Sequence, residues 1–237
     1  MIALAFAAFP LYLFGLWKRP FLFAGLAVQI AYLVSRGVAL GRLPLVGPHD
    51  TLLFLAASLV AFSLPFHRHL KGHRSYYSWI AVAAAVFTAF ALAAKQHNTP
   101  LPPVLKTVWF ELHVVLAFLS YGLFGIGAVL GALSLRQGGT PLEGMQYRSV
   151  FIGYALFSLS MVFGGVWAFL AWGTYWLWTP KELWTTILWL FYSLYLHARL
   201  RPQWRGKPAA VLGIAGFGVV LFTYLGVSLL MKSSHSF

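Results

Sequence analysis

The apolar positions of this chain come in long runs separated by charges or by Pro and Gly. The hydrocarbon core of a bilayer is about 30 Å thick and takes about 20 mostly apolar residues per helix. On that rule the pattern predicts eight membrane-spanning helices, at roughly 1–17, 20–40, 50–67, 75–95, 107–135, 149–171, 183–200 and 208–231. The first run is short. It has no basic segment before it and is followed by Lys18 and Arg19, so it is expected to span with its N-terminus outside and not to act as a cleaved signal. No stretch is polar enough for a soluble domain, and no fixed-period repeat is present. The expected fold is therefore all-α, a single polytopic membrane helix bundle over residues 1–237.

Composition agrees with the pattern. Only 9% of the 237 residues are charged and 60% are apolar, whereas soluble domains carry about 25% charged residues; the mean hydropathy is +0.79. The net charge of +13 would suggest nucleic acid as a partner in a soluble chain, but here it divides by side. With the N-terminus outside, one set of loops holds Lys18, Arg19, Arg68, Lys71, Arg74, Arg136, Arg148, Arg199, Arg201, Arg205 and Lys207. The opposite set holds Arg36, Arg42, Lys95, Lys106, Lys181 and Lys232. The positive-inside rule places the richer set in the cytoplasm, so the loops around 96–106 and 172–182 and the tail 232–237 face outward. The charge is thus a topology signal, and nucleic acid is not an expected partner. The basic loop from His67 to Arg74 reads as an ordinary cytoplasmic loop that is also suited to anionic lipid head groups. The chain has no cysteine, which excludes disulfides, zinc-thiolate sites, iron–sulfur clusters and a thiol nucleophile. Any thiol chemistry must come from another protein.

The segment between the sixth and seventh runs is unusual. Six of the ten tryptophans (Trp167, Trp172, Trp176, Trp178, Trp184 and Trp189) fall within 23 residues. An interfacial aromatic belt accounts for one or two of them. Trp172, Tyr175 and Trp176 stand at i, i+3 and i+4, the spacing of one face of a helical turn, and are expected to form a continuous aromatic shelf able to hold a flat conjugated ligand. Next, Thr179, Pro180 and Glu182 have the spacing of a capping box with proline at the first helical position. Glu182 therefore reads as a helix cap before it reads as a catalytic acid.

These residues carry a resemblance. Trp167-Ala168, Ala171-Trp172-Gly173, Tyr175-Trp176, Trp178, Pro180-Lys181-Glu182, Trp184 and Tyr195-Leu196-His197-Ala198-Arg199 resemble the Trp-rich WWD haem-handling segment, here residues 172–184 and their flanks, of the CcsA family of system II cytochrome c assembly proteins. Upstream, Arg36, Leu43-Pro44-Leu45 and Asp50-Thr51-Leu52-Leu53-Phe54-Leu55 resemble the family's early pattern, with Asp50 where Glu is usual. His113 with Ser120-Tyr121 resembles its histidine-bearing helix, and the 38 residues from His197 to His235 resemble the spacing of its last two histidines. Thr179 stands where the family usually has Asp; both are good N-caps, so the swap keeps the cap and removes a charge.

The resemblance implies a function. Haem b would pass from an inner membrane site to the outer face and there be presented, together with a CcsB-like membrane partner, to the CxxCH cysteines of an apocytochrome c for thioether formation. His113 lies six residues into its span, about 9 Å deep, and His235 lies just past the last span. The two are expected to ligate the outer haem iron, with Trp172, Trp176 and Trp178, and Tyr175 and Trp167 beside them, positioning its plane. His197 is thirteen residues past Trp184, roughly 20 Å inward, and needs a second site whose other ligand would come from the partner. Localisation in the plasma (inner) membrane follows, with both termini and the Trp-rich segment outside. A HemX-type haem-binding regulator without synthase activity, and a quinone-binding or transport protein, are the other classes this sequence admits. Pro180-Lys181-Glu182 argues against CcmC of system I, which carries Arg-Leu-Thr there.

Overall fold

The computed structural model describes residues 2–66, 69, 70, 74–138 and 140–231. Every regular element among them is helical: α1 (Ile2–Phe14), α2 (Arg19–Leu40), α3 (Pro48–Ser63), α4 (Arg74–Ala93), α5 (Val108–Gln137), α6 (Thr140–Trp172), α7 (Pro180–Ala198), α8 (Lys207–Leu221) and α9 (Val227–Leu230), with short 3-10 turns at 64–66, 103–105 and 202–204. Among the described residues six helical stretches are long and apolar enough to cross a bilayer: α2, α3 with its 3-10 turn, α4, α5, α6 and α8 continued through α9. The expected eight therefore divide differently. The thirteen residues of α1 rise only about 20 Å, and the Trp, Tyr, Thr and charged positions of α7 keep it out of the most apolar set.

Two compact units divide the chain, residues 1–102 and 103–237. In the first, α1 lies against α2 and α4, and α3 lies against α2 and α4, which closes a ring of four helices. Their shared interior holds Tyr12, Tyr32, Leu53, Leu55, Tyr76 and Ile80, all fully buried. In the second unit α5 and α6 form an extended hairpin, α8 lies along α5, and α7 lies between α6 and α8. Phe124 of α5 stacks on Tyr192 of α7 at 3.7 Å between ring centroids, and both are fully buried.

The hairpin corrects one expectation. The region from Arg136 to Arg148 reads as a cytoplasmic loop in sequence, but α5 continues to Gln137 and α6 begins at Thr140. At 33 residues α6 is about 50 Å long, well beyond a 30 Å hydrocarbon core. Hydropathy reports where a helix meets lipid; it is silent on turns that continue into water. The polar first turns of α6 are tied down by Glu143, whose carboxylate accepts from Arg199 at the end of α7 and from the Gly206 N–H at 2.7 Å, before α8. That carboxylate draws one end of the second unit together. His67, Arg68 and His73 of the basic loop lie outside the described residues.

Candidate functional site

The Trp-rich end of the second unit is where α5 begins, α6 ends, α7 begins and α9 ends. Thr107 opens α5, its hydroxyl accepting from the Phe110 N–H at 3.2 Å. That cap sets His113 on the second turn. Its Nδ1 lies 2.8 Å from the Ser160 carbonyl of α6, so Nδ1 carries the proton and donates, and the Ser160 hydroxyl in turn donates to the His113 carbonyl at 2.8 Å. Nε2 is left as the lone-pair nitrogen. Metal-binding imidazoles are commonly held this way, with one ring N–H on a carbonyl and the other nitrogen free for the metal. Gly164 makes room for the ring, since a Cβ there would come within 2.6 Å of Nδ1.

Trp172 ends α6, and Gly173 leaves the helix at φ 76 with its N–H on the Phe169 carbonyl at 2.8 Å. Residues 173–179 are therefore not helical, and the expected helical-turn shelf of Trp172, Tyr175 and Trp176 does not form. A left-handed glycine costs no steric strain, so it ends α6 before the spacing can act. The rings fold back separately. Tyr175 stacks on Phe169 with centroids 4.6 Å apart, and Trp172 meets Trp167 edge-on at 4.9 Å. Trp167 itself is 4% exposed and donates its indole N–H to the Val104 carbonyl at 2.8 Å, so it anchors the connection before α5. Trp184 packs on Phe222 and Trp189 donates to the Ser158 hydroxyl at 2.9 Å.

Trp178 is the one non-glycine residue at positive φ (56°) among the described residues, a strained conformation for a bulky side chain. Glu182 holds it there. Its Oε2 accepts from the Leu177 N–H at 2.9 Å and the Thr179 N–H at 3.0 Å, the two amides on either side of Trp178. Thr179 completes the capping box by accepting from the Glu182 N–H at 3.4 Å, and Pro180 takes the first helical position. The indole of Trp178 is presented outward, 67% exposed. Thr179→Asp should leave thermal stability nearly unchanged, whereas Glu182→Ala should cost about 1–2 kcal/mol and increase the mobility of the Trp178 ring. Melting temperature together with the fluorescence anisotropy of a chain in which Trp178 is the reporter would check both.

Lys181, half-buried in the first turn of α7, acts electrostatically on His113 and reaches Ser228 Oγ at 3.5 Å. Here α8 passes through a π turn, Phe222–Gly226, which sets Tyr224 edge-on to Phe118 of α5 at 5.0 Å. Such turns are frequent at functional sites. His235 lies outside the described residues.

His197 lies elsewhere, in the last turn of α7, and the structure does not bring it to His113. Its Nδ1 donates to the Ser193 carbonyl at 2.8 Å, the ring is exposed, and Nε2 is its lone-pair nitrogen. Leu183, Ile187, Leu190 and Leu194 are exposed on α7 and lead to His197 at alternating spacings of four and three, the pattern of a helix seam. Among the described residues no three His, Asp or Glu side chains converge on a metal position.

Sequence reasoning on roles passed over Ser160, Gly164 and, in the first unit, a buried polar group. Arg36, 1% exposed, pairs with Asp50 through Nε and, at 3.2 Å, through Nη2. His49 donates from Nδ1 to the Ala91 carbonyl at 2.7 Å and accepts at Nε2 from the Tyr32 hydroxyl at 2.8 Å, which leaves it no free nitrogen. The signals were present: a glycine pair inside a long apolar helix, and an Arg and an Asp at the edges of two apolar runs.

These features define an integral, polytopic helical membrane protein that carries an oriented imidazole beneath a Trp-rich interfacial connection. Comparison with known proteins narrows the class. Residues 46–235 match the profile of the family described as Cytochrome C assembly protein. The chain is 33% identical over 227 residues to the cytochrome c biogenesis protein CcsA of Chlamydomonas reinhardtii, covering 88% of this chain and 64% of that relative. It is 31% identical over 280 residues to CcsA of Synechococcus elongatus (90% and 86%) and 32% over 261 residues to CcsA of Pyropia yezoensis (86% and 82%). The chain belongs to the cytochrome c assembly protein family. It spans somewhat less than two thirds of the length of the Chlamydomonas relative.

Proposed function

We propose that this chain serves cytochrome c maturation by holding haem b, as a substrate, at the Trp-rich end of its second unit and presenting it to an apocytochrome c. The observation that carries this reading is the His113–Ser160 pair, which orients an imidazole with Nε2 free beside a Trp-rich segment in a family of cytochrome c assembly proteins. His113 supplies one axial ligand and His235 the other. Trp172, Trp176, Trp178 and Tyr175 bound the ring, Trp167 braces them from beneath, and Lys181 meets a propionate. Bis-imidazole ligation protects the iron while the vinyl groups stay accessible. The substrate's CxxCH cysteines add their S–H across those vinyl groups. A chain without cysteine cannot trap the haem itself.

His197 serves a second, inner site. Its free Nε2 lies on an exposed apolar seam of α7, and the second unit offers no other described histidine at that depth, so the opposing ligand comes from a partner helix of a CcsB-like membrane protein. The Trp-rich end faces outward from the plasma membrane, the side to which the uneven loop charge assigns it. The test is a reduced absorption spectrum of the purified full chain, alone and with its partner. Haem absorption bands are expected, and their absence from both samples refutes the reading. In the pair, His197→Ala should lower haem content and leave the outer-site spectrum of the remaining haem unchanged; an unaltered haem content would remove His197 from the scheme.

A further inference from the structure

Asp50 is the sole acidic residue of positions 1–102, and both its oxygens are taken by Arg36. Arg42 therefore has no anionic partner within its own unit. It stands two residues past α2, where Gly41 ends the helix. Its Nη2 donates to the His97 carbonyl at 3.2 Å, but its Nη1 is buried with no acceptor. Nδ1 of the same His97 is also buried with no partner, and it is the ring atom nearest Gly47. The rest of the corner is made of neutral oxygens. Arg36 Nη1 reaches Asn98 Oδ1 at 3.1 Å and Gln96 Oε1 at 3.4 Å, and Arg36 Nη2 reaches the His97 carbonyl at 3.5 Å. Two guanidinium groups thus share one carboxylate, and Arg36 is 1% exposed.

A buried cationic N–H without an acceptor is costly, and the cost is removed by a group that brings both an acceptor and a negative charge. We propose that the Arg42–His97 corner of the first unit binds one singly charged oxyanion, held by Arg42 Nη1 and by the His97 ring donating from Nδ1. The charge count selects a monoanion, because a single negative charge balances Arg36 and Arg42 against Asp50. Burial pulls the Arg42 guanidinium below its ordinary pKa, with Arg36 adding to it and Asp50 opposing it, the direction expected of a cation short of a counter-charge. Access is available from the loop, where Gly41, Leu43, Lys95 and Asn98 are exposed. The oxyanion is either a small free carboxylate or the phosphodiester of an anionic lipid at the membrane edge, which present the same charge and acceptor chemistry.

The two sources are separated by melting the full chain, followed by tryptophan fluorescence. One arm uses neutral detergent with sodium acetate against sodium chloride at equal ionic strength. The other uses nanodiscs of phosphatidylcholine with and without phosphatidylglycerol. A rise in melting temperature specific to acetate identifies a free carboxylate, and one specific to phosphatidylglycerol identifies the lipid phosphodiester. In either arm Arg42→Gln should weaken half-saturation by roughly tenfold or more. His97→Phe should do likewise, and serves where Arg42→Gln does not fold. Lys18→Gln, an exposed cation at the other end of α2, should keep the wild-type response. No anion-specific rise in either arm, or an equal rise in wild type and both corner variants, overturns the site.

Discussion

Replacing His113 with alanine is expected to abolish haem retention at the outer site while leaving the chain folded. The ring is partly buried and its removal costs some packing and the bond from α5 to the Ser160 carbonyl of α6, but α5 and α6 also pack along their length as a hairpin, which holds them together without it. The loss should therefore appear in the reduced spectrum of the chain purified with its partner as loss of the outer-site component, with the haem at the His197 site retained. Added imidazole should restore part of it by entering the space the side chain leaves. Ser160→Ala removes only the hydroxyl and leaves the carbonyl that receives Nδ1, so it should weaken retention less than His113→Ala does. Gly164→Ala should weaken it more than Ser160→Ala, because the added methyl occupies the position against Nδ1 and turns the ring. A wild-type spectrum in His113→Ala would remove this residue from the ligand set.

Asp50→Ala is expected to be the most destabilising single change in the first unit. Asp50 and Arg36 are 0% and 1% exposed, and Arg36 organises Asn98, Gln96 and the His97 carbonyl around itself. Removing one partner of a buried ion pair leaves the other charge uncompensated and costs about 3–5 kcal/mol. Against a typical total stability of about 5–15 kcal/mol, that change should lower the melting temperature sharply and reduce the yield of folded chain. The double change Arg36→Leu with Asp50→Leu should recover much of the loss, since neither member of the pair is then left without its partner. If Asp50→Ala melts like wild type, the pair is not the brace of this unit.

The helical class and most of the helices long and apolar enough to cross a bilayer were legible because both depend on short-range sums: the apolar length set by bilayer thickness, and the end signals of individual helices. The Thr179–Pro180–Glu182 capping box is a local device of this kind, and the structure contains it. Helix ends were misjudged where local sums mislead. The polar turns at the start of α6 continue the helix because Glu143 finds Arg199 and Gly206, partners more than 50 residues away. The aromatic shelf expected at Trp172, Tyr175 and Trp176 assumed a helical turn that Gly173 ends.

The sequence alone established a cysteine-free, polytopic helical membrane chain with a Trp-rich connection and a short set of candidate histidines, because hydropathy and residue inventory need no partners to be read. Which nitrogen, if any, of His49 and of His113 is free was decided only by tertiary structure, whereas His197 bonds a carbonyl one turn back in its own helix. His113 and His197 each commit Nδ1 to a backbone carbonyl and keep Nε2, whereas His49 spends both nitrogens on Ala91 and Tyr32. An imidazole presents the same two nitrogens in any sequence. Burial makes an unmade hydrogen bond costly, so the neighbours that folding brings within reach determine whether a histidine braces the core or keeps a lone pair for a metal.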